Sequence, residues 1–393
     1  MLDSFYKTHQ YLVERTVGPI RHALMDEIDW HKRLIGIKGS RGVGKTTFLL
    51  QYAKENFGPK DRRCLYINMN NFYFQEKTLF QFAQEFMQAG GQVLLIDQVF
   101  KYPKWSHELR HIYERCPRLR VVFTGSSVMR LKDDNPELNG IAASYNLRGF
   151  SFREYLNLRA GTNFRSHTIR EIQNRHEHIA DEVLAKVNPL NYFKEYLHHG
   201  YYPFFLDKRN FAENLLKTIN MMIEVDILHI KQIDLKHLGK IKKMFYLLAT
   251  SDYGTPNISQ LSQDMQTSRA TVVNYIKYLS DAHLFNMIYR LGEEFPKKPA
   301  NILLHNTNLM YAMMPDYSDE QVVMETFFQN ALWGRHRLQR GDRSCSFVVD
   351  EELKFRICLE QPKRKNMDVF YVLAGVKEGL EQEIPLWMYG FLY

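Results

Sequence analysis

Apolar residues in the first third of the chain fall in short unbroken runs, separated by stretches whose apolar positions recur at helical spacing. Leu34-Ile35-Gly36-Ile37, Cys64-Leu65-Tyr66-Ile67-Asn68, Val93-Leu94-Leu95-Ile96-Asp97 and Arg120-Val121-Val122-Phe123-Thr124 read as strands. The third run, four apolar residues closed by a carboxylate, has the pattern of a parallel strand buried on both faces. Between the runs, Thr78 to Gln88 carries Leu79, Phe82, Ala83 and Phe86 on one helical face, and Lys104 to Tyr113 is amphipathic. Residues 1 to 33 look like a polar, helical approach segment. From about residue 158 the strand signals stop: Thr168 to Lys186 reads as a charged helix. The last segment, 293–393, mixes short strands and helices.

The loop between the first strand and the next helix carries the chemistry. Gly39-Ser40-Arg41-Gly42-Val43-Gly44-Lys45-Thr46-Thr47 matches the phosphate-loop pattern G-x-x-x-x-G-K-[ST], with a strand before it and a helix after it. A polyphosphate needs several converging backbone N–H donors, which glycines permit through unusual backbone angles and close approach. The helix N-terminus adds a favourable dipole. Lys45 is expected to reach the β- and γ-phosphates, and the Thr46 hydroxyl to ligate Mg2+. Asp97, delivered to the carboxyl edge of its strand, is the second candidate for the magnesium shell.

Gln98 follows Asp97, where most ATPases of this kind place a Glu that polarises the attacking water. An amide can hold that water but cannot accept its proton, and losing a general base costs about 10² to 10⁴ in rate. Nucleotide binding is therefore expected to outlast hydrolysis. At the end of the fourth strand a hydroxyl would sit beside the γ-phosphate. Ser126 is the first choice for this sensor and Thr124 the second. Trp30 has two readings, beside the nucleotide base or as a packing anchor.

Length and charge narrow the rest. A chain of 393 residues exceeds one compact core and predicts two to four domains. The four cysteines are scattered without a C-x-x-C pair, which suggests buried thiols rather than a zinc site or disulfides. His176/His178 and His198/His199 lack the i, i+4 spacing of a zinc helix. A net charge of +8 permits nucleic-acid contact without requiring it. No apolar run reaches membrane-spanning length and the first residues lack a signal-peptide pattern, so a cytoplasmic location without membrane partners is expected. No guanine-reading N-K-x-D is recognisable, which tilts the cofactor to ATP.

Four segments together resemble a family of bacterial and archaeal AAA-type ATPases: Lys38 to Thr47, Leu95 to Trp105, Thr124-Gly125-Ser126-Ser127, and Gly149-Phe150-Ser151-Phe152-Arg153-Glu154-Tyr155-Leu156. The resemblance implies an α/β fold with a RecA-like parallel sheet core at 1–157, a helical lid at 158–236, a winged helix at 237–292, and a degenerate α+β PD-(D/E)xK nuclease-like domain at 293–393. It implies a homo-oligomer that binds ATP with Mg2+ as a switch or motor. Leu138 to Ala142 stands where relatives carry arginines that serve a neighbouring subunit, which leaves Arg130, Arg148 and Arg153 as candidate fingers.

In the winged-helix reading, Ile241 to Ala249, Asn257 to Met265 and Ser268 to Leu279 are helices, and Leu284 to Leu291 is hairpin-like. Thr267, Ser268, Arg269, Thr271 and Asn274 would face DNA if the module binds it. ATP-regulated DNA binding is thus the alternative function. A nuclease ranks last. Asp350 could supply one metal ligand, but Arg356-Ile357-Cys358 occupies the place of E-x-K, and Glu325 does not rescue the site. The apolar run from Glu383 to Tyr393 is expected to pack into the C-terminal domain or a neighbouring subunit.

Overall fold

The computed structural model describes residues 2–18, 20–129, 135–207, 210–251 and 256–393. The chain divides into two compact units, 1–148 and 149–393.

The first unit is built on a five-stranded sheet of β1 (Leu34–Gly39), β2 (Cys64–Asn68), β3 (Val93–Asp97), β4 (Arg120–Ser126) and β5 (Ala143–Asn146). All its pairings are parallel, in the order β2-β3-β4-β1-β5. β4 lies between the glycine-loop strand and the acid-bearing strand, a topology that fits a RecA-like or AAA P-loop core. The runs are unbrokenly apolar because both faces are covered: Leu94, Leu95, Ile96 and Val122 have no exposed surface.

Helices α1 (Leu2–Arg15), α2 (Leu24–Glu27), α3 (Lys45–Asn56), α4 (Leu79–Gln88) and α5 (Trp105–Arg115) surround the sheet. Residue 78 sets the start of α4, where the Thr78 hydroxyl accepts from the Gln81 N–H and the Gln81 side chain accepts from the Thr78 N–H. The N-terminal segment is more than a polar approach. α1 packs against β2 and α3, and its Phe5 joins an aromatic cluster with Tyr73, Phe74 and Phe82. Trp30 also serves packing: its ring stacks on Tyr52 at 3.9 Å and its Nε1–H donates to the Met25 carbonyl.

The second unit opens with helices α6 (Phe152–Ala160), α7 (Ile169–Leu184), α8 (Leu190–His199), α9 (Phe211–Met221) and α10 (Leu228–Lys231), the last preceded by a π-helical stretch at Met222–Ile227. Helices α11 (Leu238–Thr250), α12 (Ile258–Asp264) and α13 (Arg269–Asp281) follow. β6 (Phe285–Ile288) then pairs antiparallel with β7 (Asn301–Leu304). The expected hairpin within 284–291 is therefore not formed. Its return strand lies beyond Pro296, because the Gly292 to Pro299 stretch is too polar and proline-rich to pair directly.

After α14 (Thr307–Met313) and α15 (Glu320–Leu332) comes a second five-stranded sheet of β8 (Leu338–Arg340), β9 (Phe347–Val349), β10 (Leu353–Cys358), β11 (Val369–Leu373) and β12 (Glu383–Pro385). β8, β9 and β10 run antiparallel, whereas β10, β11 and β12 are parallel. Phe328 of α15 packs among Phe347, Phe355 and Tyr389. The apolar run from Glu383 to Tyr393 is buried throughout. It packs on α15, α6 and α7 inside its own unit.

Candidate functional site

The glycines of the loop are required for different reasons. Gly42 (φ +86°) and Gly44 (φ +94°) adopt left-handed backbone angles, and Gly44 is the N-cap of α3. At Gly39 a Cβ would lie 2.4 Å from the Leu147 carbonyl oxygen, so only glycine fits. Val43 is buried and packs over Gly39, while Thr46 and Thr47 stand exposed on the first turn of α3. The Lys45 ammonium donates to the carbonyls of Gly39 (2.8 Å) and Ser40 (2.7 Å), curled over the loop. Arg41 is half-buried and Ser40 buried.

Asp97 is 1% exposed at the carboxyl end of β3. A buried carboxylate is costly unless its lone pairs are met. Here the hydroxyls of Thr46 (2.7 Å) and Tyr66 (2.8 Å) donate to Oδ2, and that of Thr124 (2.5 Å) donates to Oδ1. The Asn68 amide lies 3.4 Å from the same Oδ2. Thr46 and Asp97, the two residues singled out for Mg2+, are thus in direct contact.

Gln98 takes a left-handed conformation (φ 57°, ψ 45°) at the turn after β3. Its backbone N–H donates to the Thr124 hydroxyl at 2.9 Å. Thr124 therefore accepts from Gln98 and donates to Asp97. Ser126, the first-choice sensor, is opposite Gly39 in the β1–β4 register, and its hydroxyl accepts from the Val128 N–H at 3.4 Å. Of the two β4 hydroxyls, that of Thr124 is the one bonded to Asp97.

Tyr66 and Asn68 escaped the sequence reading. They stand at the carboxyl end of β2, which neighbours β3, with Asn68 directly opposite Asp97. The rule that parallel strands deliver functional side chains to one shared edge applies to them as much as to Asp97. Burial, reinforced by the Asp97 charge, pushes the Tyr66 phenol far above its ordinary range, so it stays a neutral donor.

The arginine candidates divide. Arg130 lies outside the described residues. Arg148 is buried within the first unit. Arg153 cannot act as a finger in this conformation. It is buried in the second unit, where Nε donates to the Tyr393 carbonyl (2.9 Å) and Nη1 to that of Phe164 (3.1 Å).

In the second unit the nuclease-type carboxylates are engaged elsewhere. Asp350 accepts from the Arg337 N–H (2.8 Å) and sits 2.6 Å from His336 Nδ1, closing the turn after β9. Glu325 pairs with Arg340 at 2.9 Å. On β10, Arg356 points out while Ile357 is buried. Among the described residues no group of three or more His, Cys, Asp or Glu is arranged to hold a metal ion.

Comparison with known proteins adds to this geometry. Residues 31–156 match a family model described as an AAA domain. The match covers most of the first unit and fits its parallel-sheet P-loop core. Residues 190–302 match a second model, described only as a domain of unknown function (DUF8612).

Two uncharacterized proteins of Methanocaldococcus jannaschii are similar. MJ1637 is 27% identical over 66% of this chain and 58% of its own length. MJ1544 is 24% identical over 88% of this chain and 73% of its own length. The match thus spans little more than half of the first relative. Among solved structures, two variants of RuvB from Thermotoga maritima are 15% identical over 73% of this chain and 89% of theirs, with TM-scores of 0.27 and 0.26. Among the described residues no helix is long and apolar enough to cross a membrane.

Proposed function

We propose that this chain binds ATP with Mg2+ and acts as a nucleotide-dependent switch or oligomeric motor that cleaves its nucleotide slowly. The observation that carries this reading is the contact between Thr46 of the glycine loop and Asp97 of β3, with Gln98 at the next position. The residues fit the ligand. Gly42 and Gly44 supply the left-handed backbone angles of a phosphate-cradling loop, Lys45 supplies a cation already curled over the loop, and Thr46 with Asp97 supplies oxygen ligands of the kind Mg2+ prefers.

When bound, Mg2+ would neutralise charge on the β- and γ-phosphates. The chain's own part is positional. Lys45 exchanges its bonds to the Gly39 and Ser40 carbonyls for phosphate oxygens, and Thr124 fixes Gln98 relative to Asp97. The Gln98 amide can orient a water but takes no proton from it, so the chemical step lacks its base.

Lys45→Ala is expected to abolish the Mg2+-dependent component of ATP binding in calorimetric titration, and a Mg2+-dependent component that survives the substitution would contradict the role given to the loop. Gln98→Glu should raise steady-state phosphate release at least tenfold. An unchanged rate would mean that another group activates the water. Mass photometry with and without MgATP tests assembly: a nucleotide-dependent larger species supports the oligomer, whereas a monomer in both states removes it.

A second reading, ATP-regulated DNA binding, is favoured by the surface of α11 to β7, read as a winged helix. Ser268, Arg269, Ala270 and Asn274 are exposed at the start of α13, and Lys297 and Lys298 are exposed on the loop between β6 and β7. Phosphate contacts predict a steep loss of affinity with salt. Absence of a DNA mobility shift at low salt would eliminate this reading. The third module, 293–393, is read as a nuclease-like scaffold without its chemistry.

A further inference from the structure

We propose that the AAA-type unit carries a second phosphate site, at the opposite end of its sheet from the glycine loop, that takes a pyrophosphate-bearing small molecule of nucleotide size. The site is a cleft of about 460 Å³ at the amino-terminal edge of the parallel strands. Arg33 precedes β1 and Arg120 opens β4, and the two segments are joined where the Val121 N–H donates to the Arg33 carbonyl. The glycine loop follows the other end of β1, roughly 20 Å away at ~3.3 Å per residue.

The electrostatics of the cleft are one-sided. Arg33, Arg118, Arg120 and His31 line it, and its described lining includes no Asp or Glu. Like charges gathered in a concave, partly apolar wall repel one another and focus a positive potential that an anion relieves. Arginine suits phosphate because its planar fork meets two oxygens at once.

One of these arginines is held in place for a ligand. Arg33 Nη2 donates to the carbonyls of Tyr113 (2.6 Å) and Cys116 (3.3 Å), and its guanidinium lies 4.3 Å from the Tyr113 ring centre. Its Nε is buried with no acceptor among the described residues. A guanidinium fixed by two carbonyls and an aromatic ring on the wall of the cleft, beside the exposed Arg118, is a preorganised source of positive potential for an anion. Phe57 and Met87 give the cleft an apolar wall. Several charges on one side and an apolar wall on the other match a diphosphate attached to an organic group.

The test uses the full chain carrying Lys45→Ala, which silences the glycine loop. Calorimetric titration at low salt with ADP, and separately with inorganic pyrophosphate, should show binding of both. Adding Arg118→Glu should weaken each by tenfold or more, as should 0.5 M salt. Arg118 is exposed, and an unchanged melting temperature verifies that the variant folds. If it does not fold, Arg118→Gln replaces it. Failure of the Lys45→Ala chain to bind either probe overturns the site, as does binding indifferent to Arg118. Binding of pyrophosphate without ADP overturns the ligand class. The glycine-loop reading is judged separately, on the Mg2+-dependent ATP binding that the unsubstituted chain shows and the Lys45→Ala chain lacks.

Discussion

Thr124 shows how a single side chain can join two functional positions. Its hydroxyl donates to Asp97 and accepts from the Gln98 N–H, so Thr124→Val would leave the buried carboxylate and the partly buried N–H each short of a partner. Each unmet group costs about 1–3 kcal/mol. Thermal unfolding of the Thr124→Val protein should therefore fall clearly below that of Ser126→Ala, and equal losses would show that the bridge carries no special weight. At this scale the sequence was legible where chemistry forces a pattern: Gly39, Gly42, Gly44, Lys45, Thr46 and Asp97 come together as the motif spacing demands. It was not legible where the partner is set by sheet register. Nothing local to Tyr66 or Asn68 says that β2 lies beside β3, and choosing between Thr124 and Ser126, which share a face of β4, needed the β3–β4 register that sets Phe123 opposite Ile96 and so brings Thr124 level with Asp97.

Among the elements, α6 turns a family resemblance into physics. Ser151 and Glu154 form a reciprocal capping box: the Ser151 hydroxyl accepts from the Glu154 N–H, and the Glu154 carboxylate accepts from the Ser151 N–H. Phe152, Tyr155 and Leu156 fill the core of the second unit, and Arg153 ties down the Phe164 and Tyr393 carbonyls. Each residue of the motif has a structural task, so its recurrence with the glycine loop requires no direct contact with nucleotide. Ser151→Ala should cost about 1 kcal/mol in denaturant unfolding of the second unit, and no change would mean that tertiary packing alone sets the helix start. The strands and helices of the first unit were readable because buried parallel strands are continuous apolar runs. The β6–β7 pairing was not, because a twelve-residue excursion with prolines separates its strands.

At the scale of the whole molecule, acid sensitivity is expected to enter through α1. His9 is 1% exposed, and its Nδ1 accepts from the Tyr66 N–H at 3.0 Å, which requires the neutral ring. Burial pushes its pKa down to about 4, below the 6.5 of a free imidazole. Between those values the unfolded chain binds the proton first. The stabilisation is therefore complete above pH 6.5 and is lost as pH falls toward 4, by about 3 kcal/mol in all. Protection factors of the β2 amides, which remove the intrinsic pH dependence of hydrogen exchange, should fall over that window, and His9→Asn should flatten the dependence. A profile unchanged by the substitution would place the sensitivity elsewhere. The burial of residues 383–393 against α6 has a further consequence for biosynthesis. Residues 1–148 contain all of the first unit, which can close while the ribosome is still adding the remainder. The second unit completes its core later, because α6, which packs on α8, also packs on residues 386–391. For that interval a nascent chain would display the glycine loop before the second unit has closed.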